Sequence, residues 1–124
     1  MLLPKSESVS VAPAPAKPSL EYGELLDKTL SDVEGKKVLV LKASIDHSAT
    51  NKMTIQKNYF NVEDYLQHND EDIDELQYWA VIGDQKIISF TLDKDTINAI
   101  KDGNLPGNLI GDYAQDLWIL PSLQ

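Results

Sequence analysis

Residues 76–92 read LQYWAVIGDQKIISFTL, and this stretch predicts a β-hairpin at the centre of the fold. Two runs rich in β-branched and aromatic residues, 76–82 and 86–92, flank the segment Gly83-Asp84-Gln85. Glycine adopts the unusual backbone angles of a tight turn at little steric cost, so the two runs are expected to pair. Side chains alternate between the faces of a strand, and Tyr78 and Trp79 are therefore expected on opposite faces. One of them is exposed unless both faces are covered.

Further elements are predicted before this hairpin. Residues 36–45, KKVLVLKASI, form a nearly continuous apolar run, which is typical of a central strand covered on both faces. Upstream, Ser19 is placed to cap a helix whose apolar residues follow i, i+3, i+4 spacing as far as Val33. Downstream, residues 52–60 alternate as a strand does, and Asn61 is expected to cap a helix of about two turns.

After the hairpin, Asp93 is expected to cap a helix that stops at Asp102-Gly103, and residues 117–120 form a final short strand. The element order predicts an α+β fold with a small, mixed, mainly antiparallel five-stranded sheet, an N-terminal helix and two short helices. Such a sheet could curl into an OB-like barrel. The core is expected from the most apolar strands, namely Val38, Leu39, Val40, Leu41, Trp79, Val81, Ile88, Phe90 and Trp118.

The chain of 124 residues has room for one ordinary domain. Residues 1–19 are rich in Ser, Ala and Pro with few large apolar side chains, a composition that predicts a disordered tether before a single globular domain at 20–124. Tethers of this kind often join an upstream anchor to an extracytoplasmic module. We therefore expect an extracytoplasmic or membrane-anchored location, with the cytoplasm as the alternative. No stretch of the sequence has the roughly 20 apolar residues of a transmembrane helix.

Charge and cysteine content exclude several functions. From Leu20 onward the chain has nine lysines and nineteen acidic residues, a net charge of −10, and it has no arginine. This charge repels a phosphate backbone, so nucleic acid is a disfavoured partner. The sequence contains no cysteine, which excludes disulfides, thiolate metal sites and thiol catalysis.

Patterns that resemble catalytic or metal sites fail on spacing. The acidic run 70–75 places aspartates at alternate positions as a calcium loop does, but Glu75 and Val81 stand where the motif needs glycine and glutamate. The two histidines lack zinc spacing, and Asp, His and Ser are merely adjacent at 46–48. Glycines recur every four residues over 103–111, where a proline and the lack of a P-loop lysine favour turns. We predict no catalytic residue, metal ligand or cofactor.

A resemblance to a known kind of domain covers about residues 20–123. A helix running into GKKVLVLKASI, a hairpin of YWAV with KIISFTL, and a closing DLWILPSL resemble small OB-fold-like domains of uncharacterised surface or lipoprotein-like proteins of low-GC Gram-positive bacteria. The resemblance implies a ligand across the face of the second and third strands. The candidate binding residues in that region are Lys52, Lys57, Tyr59 and Tyr78.

The absence of a catalytic constellation favours a noncatalytic binding or interaction module of unknown ligand. Its expected partner is a protein or a cell-envelope component. Two other functions are also compatible with the sequence. One is an OB-type binder of single-stranded nucleic acid, and the other is an enzyme that uses surface carboxylates.

Overall fold

The computed structural model describes residues 19–69 and 71–124. The predicted tether at residues 1–19 lies outside this part of the chain, except for Ser19, which begins the first strand. The strands are β1 (Ser19–Leu20), β2 (Gly23–Val33), β3 (Lys36–Ser44), β4 (Glu75–Ile82), β5 (Gln85–Asp93) and β6 (Gln115–Ile119). The helices are α1 (Asn51–Gln67), α2 (Lys94–Lys101) and α3 (Ile110–Tyr113), with 3-10 turns at Gly107–Leu109 and Pro121–Leu123.

All six strands form one open sheet in chain order, from β1 at one edge to β6 at the other. Neighbouring strands are antiparallel except β3 and β4, which are parallel because α1 carries the chain back between them. The prediction of an α+β fold with a mixed, mainly antiparallel sheet is confirmed. The edge strands β1 and β6 do not pair in the described part of the chain, so the sheet is not a closed barrel.

The predicted central hairpin is confirmed. β4 and β5 pair on either side of Gly83 and Asp84, with Gly83 at φ +61°, and Tyr78 lies opposite Phe90. The predicted strand at 36–45 is present as β3. The predicted cap at Asp93 is present too, since its carboxylate accepts a hydrogen bond of 2.9 Å from the Thr96 N–H. That backbone hydrogen bond lowers the pKa of Asp93.

The predicted N-terminal helix is wrong, because residues 23–33 form β2 and pair with β3 along their length. Leu, Glu and Lys in this segment give it helix-like spacing and propensity. The pairing with β3 overrides that local preference. A two-residue turn joins the two strands, and both of its residues have positive φ, +53° at Glu34 and +85° at Gly35, as a type I′ hairpin turn requires.

The predicted strand at 52–60 is also wrong, since these residues belong to α1. The helix begins after Thr50, whose hydroxyl accepts a 3.1 Å hydrogen bond from the Met53 N–H, rather than at Asn61. The buried positions on α1 include Thr54 and Asn58, and these polar residues interrupt the apolar i, i+3, i+4 spacing that marks a helix in a sequence. Only the second half of α1 coincides with a predicted helix.

The glycine-rich segment 103–111 was predicted to form turns, and the structure shows in addition that it packs closely against α1. Gly107 and Gly111 lie in short helical turns against α1. A β-carbon at Gly107 would come within 2.7 Å of the Phe60 ring, and one at Gly111 within 2.9 Å of the Tyr59 ring. The Gly107 N–H also donates a 2.9 Å hydrogen bond to Glu63 Oε2. These two glycines let the chain approach α1.

The hydrophobic core lies between α1, α2 and one face of the sheet. The strand residues in this core include Leu39, Leu41, Leu76, Tyr78, Ile88, Phe90 and Leu92. Of the predicted core residues, Val38 and Val81 are buried but fall on the other face by strand alternation. Val40 and Trp79 on that face are only half-buried, and Trp118 is 39% exposed. The prediction that β3 is covered on both faces is therefore wrong.

Candidate functional site

The face of the sheet opposite the core is the candidate site, and we call it the uncovered face. The helices α1 and α2 contribute to the core on the other side, and no helix in the described residues packs over this one. Strand register places one row of side chains across it, from β2 to β6. That row consists of Asp27, Lys42, Trp79, Ser89 and Trp118.

A groove of about 490 Å³ opens on the uncovered face over β4 and β5. The half-buried indole of Trp79 forms its apolar wall, and the hydroxyl-bearing Ser89 and Thr91 lie along its floor. The other side chains of this face that line the groove are Gln77, Lys86 and Asp116. Its volume lies within the range of about 300–1,000 Å³ that is usual for sites of small ligands.

A lysine stands beside each tryptophan of this face. Lys42 Nζ is 4.6 Å from the ring centroid of Trp79, and Lys86 Nζ is 5.0 Å from that of Trp118. Both distances are in the range of a cation–π attraction. Lys42 is on β3 whereas the groove extends toward β5, so this ammonium and the groove lie on opposite sides of Trp79. The groove side of the indole is left open to a ligand.

A bulge in β6 determines which side chain completes the row. Thr91 pairs with Gln115 while Ser89 pairs with Trp118, so β6 contains one extra residue between these pairs. Asp116 lies in this bulge at φ +52°, a left-handed conformation that aspartate and asparagine adopt more readily than most residues with a side chain. The extra residue places Trp118 on the uncovered face. Trp118 was predicted in the core, and a bulge at Asp116, before the predicted strand 117–120, is not visible in strand alternation.

Of the predicted pair on β4, Tyr78 is the buried residue and Trp79 the one at the surface, as the alternation required. Tyr78 is 1% exposed and stacks on Phe90 with ring centroids 5.2 Å apart. Tyr59 is 5% exposed and packs on the same ring at 5.5 Å. Neither tyrosine offers a surface for stacking, although both were candidate binding residues.

The two candidate lysines, Lys52 and Lys57, do not share a surface with Tyr59 and Tyr78. Lys52 and Lys57 lie on α1 rather than on a strand, because the predicted second strand is a helix. Lys52 is exposed in the first turn, and Lys57 Nζ lies 5.6 Å from the ring centroid of Tyr22. The structure therefore does not bring the four predicted binding residues together on one surface.

Three described members of the acidic run 70–75 make ion pairs, namely Glu71, Asp72 and Asp74. Glu71 lies 2.6 Å from Lys28 Nζ and accepts a 2.8 Å hydrogen bond from the Tyr65 hydroxyl. Burial raises the pKa of Glu71, but the hydrogen bonds from Lys28 and Tyr65 outweigh it and the net pKa is lowered. Burial raises the pKa of Tyr65 to about 12, so its phenol keeps the proton that it donates.

Asp74 acts in the same way at the start of β4. Its carboxylate accepts a 2.9 Å hydrogen bond from the Lys37 N–H and pairs with Lys94 Nζ at 3.1 Å. The backbone hydrogen bond first, and then the bond from Lys94, lowers the pKa of Asp74. Across residues 19–69 and 71–124, no three His, Asp or Glu side chains are grouped as ligands for a metal ion.

The segment 46–48 does not form a catalytic triad in the described structure. Asp46 and His47 are exposed, while the Ser48 hydroxyl is buried with no hydrogen-bond partner among the described residues. The Ser48 N–H donates a 2.9 Å hydrogen bond to Thr54 Oγ1 at the start of α1. This loop therefore positions the helix rather than a nucleophile.

Within the described residues, none of the helices has both the length and the apolar character needed to cross a membrane. Neither a protein-family model nor a curated protein matches the chain, and no solved structure matches it. The resemblance to small OB-fold-like domains stays a prediction. The candidate site is thus defined by its own geometry, a groove beside Trp79 on the uncovered face of the sheet.

Proposed function

We propose that this protein is a noncatalytic binding module whose ligand occupies the groove beside Trp79 on the uncovered face. The observation that carries the proposal is a half-buried indole that stands next to a polar floor without a described helix above it. Trp combines a large apolar surface with a rigid ring, and it is enriched at binding surfaces for that reason. The expected partner class from the sequence, a protein or a cell-envelope component, is kept in this proposal.

The distribution of displaced pKa values supports binding over catalysis. Catalytic groups have displaced pKa values inside a cleft. Here the carboxylates whose pKa is lowered are Glu71, Asp74 and Asp93, and each is engaged in an ion pair or a helix cap. None of these three lines the groove beside Trp79. Asp74 and Asp93 line a separate pocket of about 450 Å³, where Asp74 is engaged by Lys37 and Lys94 and Asp93 by the Thr96 N–H. The charges of these three carboxylates stabilise the fold through those contacts.

The experiment is a titration of the full chain with small ring-bearing probes, followed by backbone amide NMR. The probes are indole, phenol and methyl glucoside. We expect the shift changes to concentrate at residues 77–79, 86–91 and 115–118. Trp79→Ala should remove them because it removes the apolar wall of the groove.

Tyr113→Ala is the matched control, because Tyr113 is an aromatic residue that is 56% exposed and does not line the groove. This variant should bind the probes as the parent does. The proposal would be contradicted if no probe changed the amide shifts of the groove residues. It would also be contradicted if Trp79→Ala showed the same shift changes as the parent.

A further inference from the structure

We infer that the ligand of the groove is a neutral carbohydrate, with one sugar ring stacked on Trp79 and its hydroxyl groups bonded to the groove floor. This inference rests on the proposed function and specifies its ligand class. It follows from the flat wall, the polar floor and the charge balance of the groove, taken in turn.

The wall suits the ring of a sugar. One face of a pyranose presents C–H groups with a slight positive charge, and the face of an indole is negative. Lys42 occupies the β3 side of Trp79, so the side toward β5 accepts the ligand. A sugar ring placed there contacts the indole with its C–H face and turns its hydroxyl groups toward the floor and the solvent.

The floor suits hydroxyl groups. Ser89 and Thr91 carry hydroxyls, which both donate and accept hydrogen bonds. The Gln77 Nε2 already donates a 2.8 Å hydrogen bond to Glu75 Oε2, so this amide offers a ligand its carbonyl oxygen and its second N–H. A sugar hydroxyl has the same dual capacity. An apolar peptide in this position would take three polar side chains out of water without replacing their hydrogen bonds, which is unfavourable.

The charge of the groove suits a neutral ligand. Lys86 and Asp116 are the charged residues among those lining the groove, and their charges are opposite. The domain as a whole, from Leu20 onward, has a net charge of −10 and contains no arginine. Binding of a polyanion draws its affinity from several clustered cations, and a single lysine in the groove does not supply them. Nucleic acids and acidic polysaccharides are therefore disfavoured.

The row across the sheet allows more than one sugar to bind. Trp118 is separated from Trp79 by β5 alone, and neighbouring strands are about 4.8 Å apart, so the two backbones are about 10 Å apart. The groove is open to the surface, and Lys86 lies between it and the ring of Trp118. A chain of sugars that leaves the groove in this direction meets the Lys86 side chain first and the ring of Trp118 beyond it.

The test titrates the full chain with cellohexaose, chitohexaose, maltohexaose and mannohexaose, using intrinsic tryptophan fluorescence and amide NMR. At least one hexasaccharide should bind saturably at the groove and more tightly than its own monosaccharide. Trp79→Ala should weaken binding about tenfold or more, Trp118→Ala should weaken it less, and Tyr113→Ala should leave it unchanged.

Thr91→Val provides a second variant that keeps the shape of the floor and removes only a hydroxyl. It should weaken oligosaccharide binding severalfold, whereas Tyr113→Phe, which removes an exposed hydroxyl outside the groove, should leave that binding unchanged. Circular dichroism and thermal unfolding establish that each variant is folded. Equal oligosaccharide affinity in Thr91→Val and the parent would contradict the assigned role of the floor.

The outcomes separate this inference from the proposed function. If indole or phenol binds the groove and none of the four oligosaccharides does, the carbohydrate inference is wrong and the binding function stands. If no probe or oligosaccharide perturbs the groove, both are wrong. Micromolar binding of an oligothymidylate that weakens steeply with added salt would overturn the carbohydrate inference in favour of single-stranded nucleic acid.

Discussion

Tyr78 and Trp79 are neighbours on β4, and they show how differently the two faces of this sheet are used. Tyr78 is 1% exposed, stacks on Phe90, and donates a 2.8 Å hydrogen bond to Asn58 of α1. Trp79 has an ammonium on one side and an open groove on the other. Both residues are aromatic and both lie on a central strand. The position of the helices decides which one becomes core.

Polar groups differ between the faces in the same way. On the helix-covered face, the Asn61 side chain accepts a 2.8 Å hydrogen bond from the Tyr22 N–H and donates one of 3.2 Å to the Tyr22 carbonyl. Asn58 accepts from the buried Tyr78 hydroxyl. These buried polar groups bond within the protein, as burial requires. On the uncovered face, Ser89 and Thr91 lie at the floor of an open groove, where a ligand can reach them.

The largest loss of stability is expected at the centre of the covered face. Phe90→Ala should cost about 3–5 kcal/mol in the free energy of unfolding, because it removes a ring that is 2% exposed. Trp79→Ala should cost less than about 2 kcal/mol, since the indole is only half-buried. Urea unfolding of the two variants measures both values. Equal losses would show that the uncovered face is as tightly packed in solution as the covered one.

A second prediction examines the close approach of the glycine-rich segment to α1. Gly111→Ala should destabilise the fold by about 1–3 kcal/mol, because its β-carbon would lie 2.9 Å from the buried Tyr59 ring. Asn108→Ala, at an exposed position of the same segment, should stay within about 0.5 kcal/mol of the parent. Thermal unfolding compares the three chains. A neutral Gly111→Ala would show that this segment can move away from α1.

A third prediction isolates one buried hydrogen bond. Tyr78→Phe keeps the ring on Phe90 but leaves the Asn58 carbonyl without its 2.8 Å donor. The expected loss is about 1–3 kcal/mol, which is the cost of an unpaired buried group. Tyr113→Phe removes an exposed hydroxyl and should change little. If urea unfolding gives the same stability for Tyr78→Phe and the parent, water replaces the lost hydrogen bond and must therefore reach Asn58 in the core.

The smallest effect concerns pH and the ion pair at the rim of the covered face. The pKa of Glu71 is lowered in the folded protein, so the unfolded chain binds the proton more readily. The stabilisation by Glu71 is therefore complete above its unfolded pKa and is lost as pH falls through the folded pKa. Glu71→Gln should be less stable than the parent at pH 7, and the difference should shrink below about pH 4.3, the usual pKa of a glutamate.

Glu24→Gln, at an exposed position of β2, serves as the control for this pH dependence. Urea unfolding at pH 7 and at successively lower pH gives the stability difference for both variants. A difference between Glu71→Gln and the parent that grows toward acid pH would have the wrong sign and would contradict the lowered pKa.

The elements that the sequence predicted are those whose local signals agree with their tertiary role. The β4–β5 hairpin has alternating apolar runs around Gly83, and α2 has the cap at Asp93. β3 combines a long apolar run with a central position in the sheet. In these segments propensity, pattern and packing favour the same conformation, so local reasoning is sufficient.

The elements that were predicted wrongly from the sequence, β2 and the first half of α1, depend on contacts with distant parts of the chain. β2 carries helix-forming residues and becomes a strand only because β3 pairs with it. α1 places Thr54, Asn58 and Asn61 at buried positions, where hydrogen bonds from other parts of the chain satisfy Asn58 and Asn61. A local apolar pattern cannot include those bonds. The helix signal is visible only once the partners are known.

For the site, strand alternation predicts that Tyr78 and Trp79 face opposite sides of a strand, and composition shows that the domain is acidic and has no cysteine. Which side of the sheet is covered depends on where α1 and α2 pack, and local sequence does not contain that information. The tertiary structure also placed Trp118 in the row of Trp79 through the bulge at Asp116. Strand alternation has a period of two residues, and a single inserted residue shifts every later side chain to the opposite face.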